Sequence, residues 1–314
     1  MKYPVVTGGA GFIGSSVVRA LLNEGAERVT VLDNLQSGSE SNLTEVADRV
    51  DLHVADIRDY DAIAPLLNGA PKVFHLAAVP SVPRSITEPV PSHTTNIDGT
   101  FNVFRAAAEG GVGRVVYAAS SSAYGDTEVL PKTEAMLPAP QSPYAVQKLM
   151  GEYYASVFAS CFSLSTTSLR FFNVYGPRQD PSSPYSGVLS LFMRCLIERR
   201  PPTIFGDGEQ SRDFTFVQDV AELCLKASNA PAEVVSGNMY NAGNGGRVTL
   251  NETWRILCEI EGVGIDPVYG PPRAGDVKDS QADTARAVRD LGHAPRFSFE
   301  EGLRLTLEWY RANT

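Results

Sequence analysis

Three glycines at intervals of three open this chain. Thr7-Gly8-Gly9-Ala10-Gly11-Phe12-Ile13-Gly14 follows a short apolar run, Tyr3-Pro-Val-Val-Thr7, and leads into a helical pattern. Such a turn lets the backbone approach a pyrophosphate closely, packs helix against strand, and points the positive helix end at the phosphates. A glycine pattern alone would also suit a structural turn, but the next apolar run, Val29-Thr-Val-Leu32, ends at Asp33. An acid there accepts hydrogen bonds from both hydroxyls of a ribose and repels a 2′-phosphate, so the implied cofactor is NAD rather than NADP. Gly8, Gly11, Phe12, Ile13, Gly14, Asp33 and Asn34 are therefore candidate cofactor contacts. Pro4 is tolerable because it stands at the start of its strand.

Further apolar runs follow at Val50–Val54, Val73–Leu76, Val115–Ala118 and Leu164–Arg170, with helical patterns between them, as at Ile13–Glu24 and Thr100–Glu109. Strands separated by helices predict βαβ units and a parallel sheet covered on both faces. The fold class is α/β: a Rossmann-type doubly wound parallel sheet with a smaller mixed α/β substrate-binding region. After Phe172 the texture changes, with frequent Pro and Gly through Gly208 and again near Gly243 and Gly270. Loops of this kind often carry a binding site. The division expected is an NAD-binding domain over 1–170 and a nucleotide-sugar-binding region over 171–314, with core segments returning around 211–242.

The 314 residues are 43% hydrophobic and 20% charged, and 27 Lys and Arg against 36 Asp and Glu leave a net charge of −9. A nucleic-acid binder would need a basic stripe, so none is expected as partner. The four cysteines form no C-x-x-C pair and no histidine cluster accompanies them, so neither disulfides nor a metal site is expected. No apolar run has the length of a membrane span. The opening strand leaves no room for a secretory leader, and the expected compartment is the cytoplasm.

Ser142-Pro143-Tyr144-Ala-Val-Gln-Lys148 reads as a helix start, with Ser142 as cap and Pro143 first. Tyr144 and Lys148, at i and i+4, project from one face. An ammonium beside a phenol favours the phenolate and draws its pKa toward working pH, which makes Tyr144 a candidate base for a sugar hydroxyl. Taken alone, the pair could also be an ordinary surface pair. Upstream, Val115–Ala118 runs into Ala119-Ser120-Ser121-Ser122. Hydroxyls at the carboxyl end of a sheet strand lie where open α/β folds bind ligands. Ser120, Tyr144 and Lys148 are the candidate catalytic residues, and Tyr144 and Lys148 also the candidate neighbours of NAD.

In combination these residues resemble the extended short-chain dehydrogenase/reductases, and among them the UDP-sugar 4-epimerases. The resemblance runs from Thr7 to about Asp283. It includes His75-Leu-Ala-Ala78, Asn96-Ile-Asp-Gly-Thr100, Leu169-Arg-Phe-Phe-Asn-Val-Tyr-Gly-Pro-Arg178, Gly206-Asp-Gly208 with Arg212-Asp-Phe214, Tyr240-Asn-Ala-Gly243 and Pro272-Arg-Ala-Gly-Asp276. It implies that Asp56 and Ile57 flank the adenine, that Ala77 and Ala78 lie along the cofactor, and that Asn96 supports its binding region. It also implies that Asn173, Arg212 and Arg273 hold the diphosphate and uridine. Two guanidinium forks suit a pyrophosphate. Ser121, Ser122, Asp276 and Ser280 complete the substrate-binding candidates.

The activity implied is NAD-dependent epimerisation at carbon 4 of a UDP-hexose through a transient keto sugar. Related dehydratases and decarboxylases carry an acid just after the catalytic Ser or Thr, where this chain has Ser121 and Ser122, so epimerisation is preferred. A UDP-glucuronate 4-epimerase remains an alternative, with Arg178 unplaced. A chain that binds NAD without catalysis is a remoter one, since fold alone does not fix function. The small Ser280 stands where epimerases restricted to plain hexoses resemble one another in carrying a bulky aromatic, so N-acetylhexosamines are expected substrates beside glucose and galactose. Family members pair through two helices each, and the matching segments Thr100–Glu109 and Tyr144–Ala159 imply a homodimer.

Overall fold

A computed structural model describes residues 2–180, 187–272 and 277–313. Seven strands form one parallel sheet: β1 (Val5–Thr7), β2 (Val29–Asp33), β3 (Val50–Val54), β4 (Val73–His75), β5 (Val115–Ser120), β6 (Thr166–Phe171) and β7 (Asn238–Ala242). Their order is β7-β6-β5-β4-β1-β2-β3, and every pairing is parallel. The chain leaves β1 toward β2 and β3, then crosses back to β4 on the other side. The strand order therefore reverses between β1 and β4, and a crevice opens beyond their carboxyl ends.

Near-continuous burial of β1, β5 and β6 explains their apolar sequences, because helices cover both faces. One face packs on α1 (Phe12–Asn23) and on the helix Val217–Asn229, through Val17, Val18, Leu21, Val220 and Leu223. The other packs on α2 (Tyr60–Leu67), α3 (Thr100–Glu109) and α4 (Pro143–Cys161), through Ile63, Leu67, Val103, Phe104 and Phe158. A third core, with Phe192, Trp254, Leu257, Leu303 and Leu307, lies within Tyr175–Tyr310 and builds the smaller region. The strand expected over Leu164–Arg170 begins at Thr166 and continues through Phe171.

The glycine turn is as tight as its spacing implies. Gly8 has φ +70°, and a side chain there would press on the Ala77 backbone. A Cβ on Gly14 would collide with the Gly8 carbonyl oxygen. Ser142 caps α4 by accepting from the Ala145 amide at 3.2 Å, with Pro143 at the first position. Among the described residues no helix is long and apolar enough to cross a membrane.

Candidate active site

A cavity of about 780 Å³ runs from the glycine turn to the smaller region. Its lining includes Gly8, Gly11, Phe12, Ile13 and Gly14 of the turn, Asp33, Asn34 and Ile57, and Ala77, Ala78, Ser120, Tyr144 and Lys148. The turn fits a dinucleotide. Helix α1 starts with Gly11 as cap, no side chain bonds its first amides, and no acid stands in its first turn. That leaves a positive helix end suited to phosphate. Asp33 is held in place by the Ala10 amide at 3.0 Å and the Leu35 amide at 2.9 Å, with lone pairs left for a ribose.

Asp56 and Asn96 do not line the cavity; both act on residues that do. Asp56 accepts from Asn34 at 2.9 Å and holds a two-point ion pair with Arg58, whose hydrogen bonds bring its pKa down to about 2. Asn96 is buried, accepts from the Val79 amide at 2.7 Å, and donates to the Val79 carbonyl and to Gln147. It therefore ties the loop after β4 to helix α4.

Helix α4 presents Tyr144 and Lys148 to the cavity, and the Tyr144 amide donates to Ser85 Oγ at 3.1 Å. Ser120, the last residue of β5, hydrogen-bonds the Tyr144 side chain. Lys148 Nζ donates to the Ala118 carbonyl at 2.8 Å, and burial lowers its pKa to about 8. The expected downward pull on Tyr144 is not what the structure shows. Burial raises the phenol, and the Ser120 hydrogen bond offsets only part of this. The lysine contributes position and charge at the cavity wall rather than a direct bond to the phenol.

The substrate-side candidates lie outside this cavity. Ser122 Oγ donates to Ser120 Oγ at 2.8 Å, and Ser121 opens the short helical turn that follows β5. Asn173 Nδ2 donates to the Asp213 carbonyl at 3.4 Å. Arg212 donates to the carbonyls of Ser211 and Lys278, and the Ser280 amide donates to Ser211. Arg212 thus belongs to the strand Ser211–Arg212, Ser280 bonds its first residue and Asn173 the residue that follows it. Arg273 and Asp276 lie outside the described residues.

The cavity also has lining that sequence reasoning missed, Arg84, Phe172 and Trp309, and it takes in Arg178, which the sequence left unplaced. Arg178 bonds Glu45 at 3.1 Å and Arg84 bonds Glu88 at 3.0 Å. No spacing rule links Trp309, near the carboxyl end of the chain, to a turn at its start. Only the packing of the helix Phe299–Asn313 brings it there.

The comparisons agree with this geometry. Residues 5–243 match the NAD dependent epimerase/dehydratase family. A UDP-glucose 4-epimerase of Mycolicibacterium smegmatis is 39% identical over 311 residues, with 98% of each chain covered. A UDP-N-acetylglucosamine 4-epimerase from Methanobrevibacter ruminantium, solved with UDP-N-acetylmuramic acid, superposes with a TM-score of 0.94 at 36% identity, covering 100% of this chain and 99% of the other. A Thermus thermophilus UDP-glucose 4-epimerase solved with NAD gives 0.89 at 34% identity, covering 99% and 100%. The chain belongs to the NAD-dependent epimerase/dehydratase family.

Proposed function

We propose that this protein interconverts UDP-hexoses and their carbon-4 epimers. The reading rests above all on one observation: Ser120, Tyr144 and Lys148 line the same cavity as the glycine turn. The kind of reaction named for the M. smegmatis and M. ruminantium relatives supports it. The glycine turn and Asp33 would hold NAD⁺, which would supply a reversible hydride acceptor for carbon 4 of the sugar. Tyr144 takes the proton of the carbon-4 hydroxyl, and Ser120 bridges that hydroxyl and the phenol oxygen. The Lys148 ammonium, one helical turn away, and the charge of a bound nicotinamide would both oppose the rise that burial gives the Tyr144 phenol. The transient 4-keto sugar turns over in the pocket before reduction.

Elimination of water from the sugar would need another acid or base near Ser120. The two positions after it are Ser121 and Ser122, and among the described lining residues only Asp33 and Asp180 carry carboxylates. This favours epimerisation. Acceptance of N-acetylhexosamines as well as plain hexoses rests on the resemblance at Ser280 alone, since that residue lies outside the cavity described. UDP-glucuronate is the second reading, because Arg84 and Arg178 place two guanidiniums on the cavity wall that could hold a carboxylate. Each of them, however, already has a carboxylate partner.

The protein acts as a homodimer in this reading. Phe101 on α3 and Val146, Met150, Tyr153 and Val157 on α4 form one exposed apolar face. The cytoplasm is its inferred compartment.

Nuclear magnetic resonance of UDP-galactose and UDP-N-acetylgalactosamine incubated with the protein and NAD⁺ tests the activity. The gluco epimer should appear from both, without net NADH. If neither sugar changes and UDP-glucuronate does, the uronate reading replaces this one.

A further inference from the structure

Two buried charges beside the site have no part in the chemistry above. Glu152 follows Lys148 by one turn of α4, so Tyr144, Lys148 and Glu152 share a face. Arg170 stands within β6, opposite Ala119 of β5 and Asn241 of β7, and is 2% exposed. Its Nε and Nη2 donate to the two oxygens of Glu152 at 2.8 and 2.7 Å. The guanidinium lies 4.4 Å from the centre of the Tyr124 ring, and Tyr124 donates to Asn241 at 2.6 Å. Arg170 Nη1 has no hydrogen-bond partner. A buried ion pair that strands a donor is a poor device for stability, since apolar replacements are often neutral or better.

The effect of the pair is clearest at Lys148. Burial raises the Glu152 carboxyl and Arg170 and Lys148 oppose that rise, so without Arg170 the one cation left to hold it ionised is Lys148, a helical turn away. With Arg170 in place the ammonium points instead to the Ala118 carbonyl at the cavity wall. The other titratable groups around Lys148 are Tyr144, Tyr117, whose ring centre is 5.1 Å from Nζ, and His75, which burial keeps neutral. Around the ion pair stand Tyr124 and, beyond it, Glu134. We propose that Arg170 is a positioning residue that occupies Glu152, so that the Lys148 ammonium stays at the cavity wall and its charge acts on Tyr144. The inference rests on the reading of Tyr144 as the base.

The test compares R170M, R170K and the double variant E152Q/R170M. Two readouts are followed: the pH profile of kcat/KM with UDP-galactose, and the ultraviolet absorbance of tyrosinate against pH. The absorbance is taken with and without NAD⁺, as the difference from Y144F in the same background. In R170M the acid limb and the Tyr144 titration should both move to higher pH by about one unit, because a freed carboxylate cancels the ammonium. R170K should stay near wild type, and E152Q/R170M should return toward it. A merely structural pair would lower the melting temperature of R170M and leave both titrations in place, and that result overturns the proposal. So does a double variant that stays displaced. If R170M does not fold, R170Q replaces it with the same expected shift. Should the wild type turn over no UDP-sugar, the activity reading fails while the absorbance titration still decides the role of Arg170.

Discussion

The Asp33 carboxylate accepts the Ala10 amide at 3.0 Å, which locks the end of β2 to the glycine turn. One acid thus closes the turn and, in our reading, holds the ribose. Replacing it should weaken cofactor binding without dismantling the sheet. D33A should lose about 1.5–3 kcal/mol of NAD affinity, roughly 10- to 100-fold, because a charged acceptor is removed. Calorimetric titration with NAD⁺ measures this. Unchanged affinity would place the ribose elsewhere.

Lys148 gives the activity an alkaline limit. Burial holds its pKa at about 8, so the ammonium is present below that pH and lost above it. Its loss removes the positive charge one turn from Tyr144. Activity should therefore fall as pH rises through about 8, and K148R should keep activity to higher pH because arginine does not deprotonate there. K148M should lose about 10²- to 10⁴-fold at neutral pH, the usual scale for general acid–base support. A pH series of initial rates checks both variants beside the wild type.

Helix α4 is apolar on two sides. Leu149, Ala155 and Phe158 face the core, while Val146, Met150, Tyr153 and Val157 stay exposed. The homodimer we propose would cover this outer face with a second copy. V146E/V157K should convert the dimer to a monomer in sedimentation velocity. A wild type that sediments as a monomer would contradict the assignment.

Much of this was legible because the decisive signals are local. The turn at Gly8–Gly14 needs only backbone sterics, and the cap at Ser142 fixes where Tyr144 and Lys148 begin. Gly8, Gly11, Phe12, Ile13, Gly14, Asp33 and Asn34 therefore come together along one cavity. Asp56 and Asn96 show where that reading ends. Asp56 is expected beside the adenine yet fastens Asn34, whereas Asn96, expected to support the binding region, binds the loop at Val79. Sequence position does not distinguish touching a ligand from holding the residue that touches it. Arg170 looked like part of an apolar strand, and its tie to Glu152 depends on the pairing of β6 with β5. The upward shift at Tyr144 went unforeseen because burial is a tertiary quantity.

The central claim is that one carbon-bound hydrogen leaves carbon 4 and returns to it. UDP-glucose deuterated at carbon 4 tests this directly, with the product followed by mass spectrometry and nuclear magnetic resonance. The account predicts UDP-galactose that keeps its deuterium at carbon 4, takes none from solvent, and is no longer formed in Y144F. Deuterium found at carbon 6, or a product lacking the elements of water, would contradict it.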